Sequence, residues 1–128
     1  MKKIVKTEEA PSAIGPYSQA VVARGMLFSS GQIGINPKTS QLVEGGIEAQ
    51  TTQVLENIKA ILKAAGCTVD DVVKSTIFLK NMGDFSKVNS IYATAFSSDF
   101  PSRSCVAVAS LPKDALIEIE LIAVLKDG

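Results

Sequence analysis

Hydrophobic and polar positions along this chain change period several times, and each change predicts an element. From Ile47 to about Ala65 the apolar residues Val54, Leu55, Ile58, Ile61, Leu62 and Ala65 recur three and four positions apart. That is one stripe of an amphipathic helix, and Gly66 stands where a C-terminal cap belongs. The opposite face reads as Gln50, Gln53, Lys59 and Lys63. The segment GDFSKVNSIYATAFSSDF predicts a second helix, with Asp84 as its N-cap and Phe85, Val88, Tyr92 and Phe96 on one face.

The remaining apolar runs are β-rich. KKIVKT reads as a short strand, and Pro11, Gly15 and Pro16 hold EEAPSAIGPYS as an ordered loop. YSQAVVAR and MLFSSGQIGI are strands joined at Arg24-Gly25, a two-residue hairpin link, after which NPKTSQ turns the chain. DVVKSTIFLK, SRSCVAVASL and ALIEIELIAVL supply three more strands, the last two joined at Pro112-Lys113-Asp114. The predicted order is β-β-β-α-β-α-β-β: an α+β fold with a mixed six-stranded sheet and two helices on one face.

The last strand shows what the helices leave open. Ile117, Ile119, Leu121, Ala123 and Leu125 alternate to one side, under the helices, while Glu118, Glu120, Ile122 and Val124 take the other. Leaving several such apolar side chains wet costs several kcal/mol at ~25 cal/mol per Å2. Oligomerisation through that face is the physical inference.

Composition narrows the chemistry. A length of 128 residues fits one domain spanning 1–128. Thirteen basic against 13 acidic residues give no net charge, which argues against a partner whose phosphates need neutralising. Cys67 and Cys105 have no metal-ligand spacing and read as reduced thiols. The N-terminus lacks the apolar core of a signal peptide, and no apolar run reaches the ~20 residues of a membrane span, so a soluble, cytoplasmic protein is expected. The chain has no histidine, which removes imidazole bases, Ser-His and Cys-His pairs and histidine metal sites together.

Arg103 opens a strand otherwise free of charge and heads a row with Cys105, Ala107 and Ala109. It fits either a salt bridge to Glu118 or Glu120 across a terminal hairpin, or an anion site presenting its planar fork to a carboxylate. Glu118, within LIEIELIAV, is either a sheet-face charge or a partly desolvated carboxyl fitted for proton transfer. Tyr17 reads as a packed ring with a wet hydroxyl. Ser30 and Gly31 mark a β-bulge or a place where a backbone amide approaches a ligand. Cys105 has nothing nearby in sequence to lower its pKa, and Asn89 reads as a surface polar residue.

FPSRSCVAVASLPKDALIEIE resembles the signature of the reactive intermediate deaminase A family, also called RidA or YjgF-type proteins. IGPYSQAV, FSSGQIGINPKT, QVLENIKAILKAAG and VNSIYATAF match the same family in order, so the resemblance covers essentially the whole chain. It implies a chorismate-mutase-like fold and a homotrimer whose sheets line a barrel, with clefts between adjacent chains. It also implies hydrolysis of 2-imino acids, formed from 2-aminoacrylate and 2-aminocrotonate, to 2-keto acids and ammonia without metal or cofactor. By that resemblance Arg103 holds the substrate carboxylate. Ser30, Gly31, Asn89 and Cys105 orient the imino acid, and Glu118 with Tyr17 positions water and moves protons. Two other functions remain open: a non-catalytic binder of small 2-keto acids, and single-strand RNA cleavage or a chaperone-like activity.

Overall fold

Side-chain alternation decides what this chain buries, and the sheet follows from it. The computed structural model describes residues 1–96 and 99–126. Its strands are β1 (Lys3–Val5), β2 (Ala20–Ala23), β3 (Met26–Ser29), β4 (Ile35–Asn36) and β5 (Gln41–Leu42), followed by helix α1 (Gly46–Ala64). Then come β6 (Val72–Leu79), helix α2 (Phe85–Phe96), β7 (Ser102–Ala107) and β8 (Ile117–Val124). Six strands form one mixed sheet in the order β1-β2-β3-β8-β6-β7. The predicted second helix ran on to Phe100; residues 97–98 lie outside the described residues, but Asp99, at φ 49°, and Phe100 are not helical. Among the described residues no helix is long and apolar enough to cross a membrane.

The predicted hairpin at Arg24-Gly25 is present. Both residues take positive φ, 51° and 75°, as a two-residue turn with the twist of its strands requires. Two features differ from the sequence expectation. The run after Ser29 leaves the sheet early: only Gln32 stays bridged to β8, through backbone bonds to Ile119 of 2.8 and 3.0 Å. The chain then forms a separate two-stranded ribbon, β4 with β5.

The second difference is at the C-terminal end. SRSCVAVASL and ALIEIELIAVL do not form a hairpin, because β6 lies between them. β8 pairs antiparallel with one edge of β6, and β7 pairs parallel with the other. A parallel pair needs a crossover, and α2 supplies it, packing over the face from which it departs.

Under the helices, Ile117, Ile119, Leu121 and Ala123 of β8 are buried with Leu27 and Ile77, against Val54, Ile58, Ile61 and Leu62 of α1. Gln50, expected on the open side of α1, is buried instead. Its position three residues after Ile47 and four before Val54 lies on the buried stripe, and its Oε1 accepts a hydrogen bond from the Leu116 amide at 2.9 Å. Asn57, fully buried on the same helix, donates to the carbonyls of Ile33 (3.2 Å) and Ile35 (2.9 Å) and accepts from Gln53 (2.9 Å). These bonds fasten the segment after Gly31 to α1.

The other sheet face is open and partly apolar, as the last strand predicts. Ile4, Val21, Phe28 and Ile122 lie in one row across four strands. Ile4 is 51 %, Phe28 40 % and Val124 43 % exposed, more than an apolar sheet residue normally tolerates.

Asn57→Ala strands two carbonyls in the interior. It should destabilise the protein by about 1–3 kcal/mol, read as a lower urea midpoint at unchanged slope.

Candidate functional site

Arg103 sits on β7, the edge strand, and alternation sends its side chain and that of Cys105 toward the helix-covered face, leaving Ser102, Ser104 and Val106 outward. There it meets α2. Its Cζ stands 5.0 Å from the centre of the Tyr92 ring and 5.3 Å from that of Phe85. Tyr92 is buried; its hydroxyl and that of Ser75 share a 2.6 Å hydrogen bond, and its ring tilts against Phe96 at 4.6 Å. Burial pushes the Tyr92 phenol up, partly offset by that hydrogen bond and by the charge of Arg103.

Among the described residues no carboxylate pairs with this guanidinium, and the one ion pair joins Glu56 and Lys59 at 3.8 Å, on the surface of α1. The salt bridge to Glu118 or Glu120 entertained from the sequence is therefore absent. It depended on a hairpin, whereas β6 separates the strands and Arg103 and Glu118 project from opposite faces of the sheet. Arg103 instead borders an open cleft of about 440 Å3 with Asn89, Tyr92, Ala93, Phe100 and Pro101. Asn89 is partly buried rather than a plain surface residue, and its Oδ1 has no hydrogen-bond partner. Burial raises the Cys105 thiol more than Arg103 lowers it, which leaves it a poor nucleophile.

Glu118 forms a second group. It is partly buried on the outer face of β8, and burial first, then the neighbouring Glu120 charge, pushes its carboxyl pKa up. Gly31 packs directly on it. A Cβ at Gly31 would lie 2.8 Å from Glu118 Cγ and closer still to the carboxylate, so the absence of a side chain is what admits Glu118 here. Tyr17, Gly31, Gln32, Ile33, Lys113 and Glu118 are among the residues lining a cavity of about 290 Å3. Ser30 joins this region to the Tyr17 loop: its hydroxyl donates to the Ser18 carbonyl at 2.6 Å and its amide to the Gln19 carbonyl at 2.9 Å.

The structure thus assembles two groups within one chain. Tyr17, Gly31 and Glu118 meet, with Ser30 alongside; Arg103 and Asn89 meet, with Cys105 two residues on. The sheet stands between them.

Sequence reasoning missed Gln19, Phe85 and Lys113. Buried Gln19 holds the loop before Tyr17 by accepting from the Thr7 amide (2.7 Å) and donating to the carbonyls of Thr7 (3.0 Å), Ala10 (3.3 Å) and Pro11 (2.8 Å). A lone glutamine beside an apolar strand carries no signal of that. Lys113 and Asp114 both take left-handed backbone, at φ 55° and 57°, in the turn leading into β8.

A family model described as Endoribonuclease L-PSP matches residues 7–125. A RutC family protein of Pyrococcus horikoshii is 57% identical over 123 residues, covering 96% of this chain and 98% of the relative. An Escherichia coli protein named 2-iminobutanoate/2-iminopropanoate deaminase is 52% identical over 127 residues, covering 97% of this chain and 98% of the relative. The crystal structure of E. coli TdcF with bound serine superposes with a TM-score of 0.91 at 44% identity, over 97% of this chain and 99% of that one.

Gly31→Ala should leave the fold intact, because the Glu118 side chain is flexible enough to yield, but it should drive the carboxylate toward water. Followed by 13C NMR of labelled glutamate, the Glu118 titration should fall back toward the ordinary carboxyl range; an unmoved titration would refute the packing argument.

Proposed function

We propose that this chain, which belongs to the endoribonuclease L-PSP family of YjgF/RidA-type proteins, hydrolyses reactive 2-imino acids to 2-keto acids and ammonia. The substrates are 2-aminoacrylate and 2-aminocrotonate with their 2-imino tautomers. The observation that carries this reading is Arg103: a partly buried cation facing a cleft, with no acidic partner among the described residues. Burying such a charge unpaired is costly, and a ligand carboxylate gripping the fork bidentately offsets that cost.

The second group supplies what the reaction needs. A 2-iminium carbon is already electrophilic, so a held substrate, an oriented water and one proton relay suffice. Glu118, its pKa raised by burial, accepts a proton from water as the oxygen adds to C2. It returns that proton to the nitrogen of the carbinolamine, then takes the hydroxyl proton as the C=O forms and ammonia leaves, and passes it to the departing ammonia as ammonium. Tyr17 positions the water. Ser30, the Gly31 and Cys105 backbone, and Asn89 orient the imino acid.

Because the sheet separates Arg103 from Glu118 within a chain, this reading requires a second copy to bring one copy's Arg103 beside another's Glu118. The open apolar sheet face supports assembly, and a homotrimer of cytoplasmic chains, each acting as one 1–128 unit, is the form proposed. The serine bound to TdcF favours a second reading, a binder of small amino or keto acids that turns nothing over. RNA cleavage, despite the family's descriptive name, has less behind it: 13 basic residues balance 13 acidic ones and no histidine is present.

The test is a coupled assay in which threonine dehydratase generates 2-aminocrotonate and semicarbazide traps it. The wild-type protein should outcompete the trap, and Arg103→Ala should lose that competition by about a hundredfold or more, two charge-assisted bonds having gone.

Glu118→Gln should cut hydrolysis by about 10²–10⁴ while retaining affinity for 2-oxobutanoate, as measured by calorimetry. The carboxyl must be ionised to take a proton from water. The wild-type rate should therefore fall as pH drops through a pKa above the ordinary carboxylate value, and Glu118→Gln should flatten that limb.

A further inference from the structure

We propose that Phe85 and Tyr92 are positioning residues for Arg103: their rings hold the guanidinium in place while leaving its N–H fork free for a ligand carboxylate. The inference rests on the reading that Arg103 binds that carboxylate.

Phe85 and Tyr92 are seven residues apart on α2, two helical turns, a rise of about 10 Å along one face. Cζ of Arg103 is 5.3 Å from one ring centre and 5.0 Å from the other, so the cation is held between the two rings and does not rest on one alone. Both distances fall inside the roughly 6 Å over which a ring quadrupole attracts a cation.

A partly buried guanidinium can be stabilised in two ways with different consequences. An internal carboxylate would satisfy the charge and occupy the fork. An aromatic ring attracts the charge without supplying the oxygen acceptors that a bidentate fork takes. Here the second arrangement is realised, since Arg103 has no acidic partner among the described residues and the two rings are its close electrostatic neighbours.

The rings are themselves anchored. Tyr92 is 3 % exposed, its hydroxyl bonds to that of Ser75, and Ser75 is the residue of β6 directly paired with Arg103. Strand pairing and hydrogen bond thus fix ring and cation to the same point of the sheet. Asn89 lies between the two rings in sequence, four residues after Phe85 and three before Tyr92. The same helix face therefore carries its amide to the cleft.

Phe85→Leu tests this, because leucine keeps the apolar bulk and removes the quadrupole. A contact of this class is worth roughly 0.5–2 kcal/mol, about two- to thirty-fold in affinity. The dissociation constant for 2-oxobutanoate, by calorimetry, should rise by that factor. In the imine assay KM should rise in step while kcat moves far less. The Arg103 Nε–H resonance should shift downfield as the ring current disappears.

Phe85→Tyr and Tyr92→Phe, which each keep a ring, should restore or retain affinity. An unchanged dissociation constant and Nε–H shift in Phe85→Leu would overturn the proposal. So would a loss in Tyr92→Phe that Phe85→Leu does not share, since that would assign the effect to the hydroxyl. A wild-type protein that binds 2-oxobutanoate but hydrolyses no imine would remove the deaminase reading and leave this one standing. One that hydrolyses imines with no KM response to Phe85→Leu would remove this one alone.

Discussion

The arrangement depends on one uncompensated charge. Arg103 is partly buried with no carboxylate to meet it among the described residues, and a guanidinium in that condition needs other support. The fold provides it through connectivity. Because β7 lies parallel to β6, the chain must cross over between them, and the crossover helix lands on the face toward which Arg103 points. Topology, more than any single contact, gives the cation an aromatic bed in place of an ionic partner.

A second constraint acts on the opposite face. Gly31 and Glu118 interlock because the segment after β3 leaves the sheet after four residues, and α1 holds its continuation through Asn57. That early departure opens the cavity beside Glu118. On the same outer side the apolar row Ile4, Val21, Phe28 and Ile122 crosses β1, β2, β3 and β8, with Ile4 and Phe28 exposed. Exposed apolar area and incomplete chemistry point to the same remedy.

Much of this was legible in the sequence where a single physical rule governs. Two-residue alternation in LIEIELIAV identified both faces of β8, and the Arg24-Gly25 turn identified its hairpin. The family motifs located Arg103 and Glu118. What escaped depended on competition between long-range partners. Pro112-Lys113-Asp114 looks like a hairpin turn, yet β8 finds its pairing along β6 over seven registered residues, and β7 is left to the far edge. Gln50 reads as solvated because it is polar, although its helical spacing already put it on the buried stripe. The β4–β5 ribbon, with two residues in each strand, is too short to carry a period.

The mistaken hairpin also shows why the real topology suits the proposed chemistry. Were β7 and β8 adjacent, Arg103 and Glu118 would be able to pair. Such a pair would hold the Glu118 carboxyl pKa down, since an opposite charge favours the ionised form. It would also fill the fork that a substrate carboxylate needs. With β6 interposed and the side chains on opposite faces, neither effect operates inside a chain: burial raises the Glu118 pKa and the guanidinium stays open. A carboxylate poised to accept a proton and a cation poised to accept an anion are mutually neutralising groups. Within one chain the sheet keeps them apart; on the proposed reading, assembly brings one copy's cation and another's carboxylate together with a substrate between them.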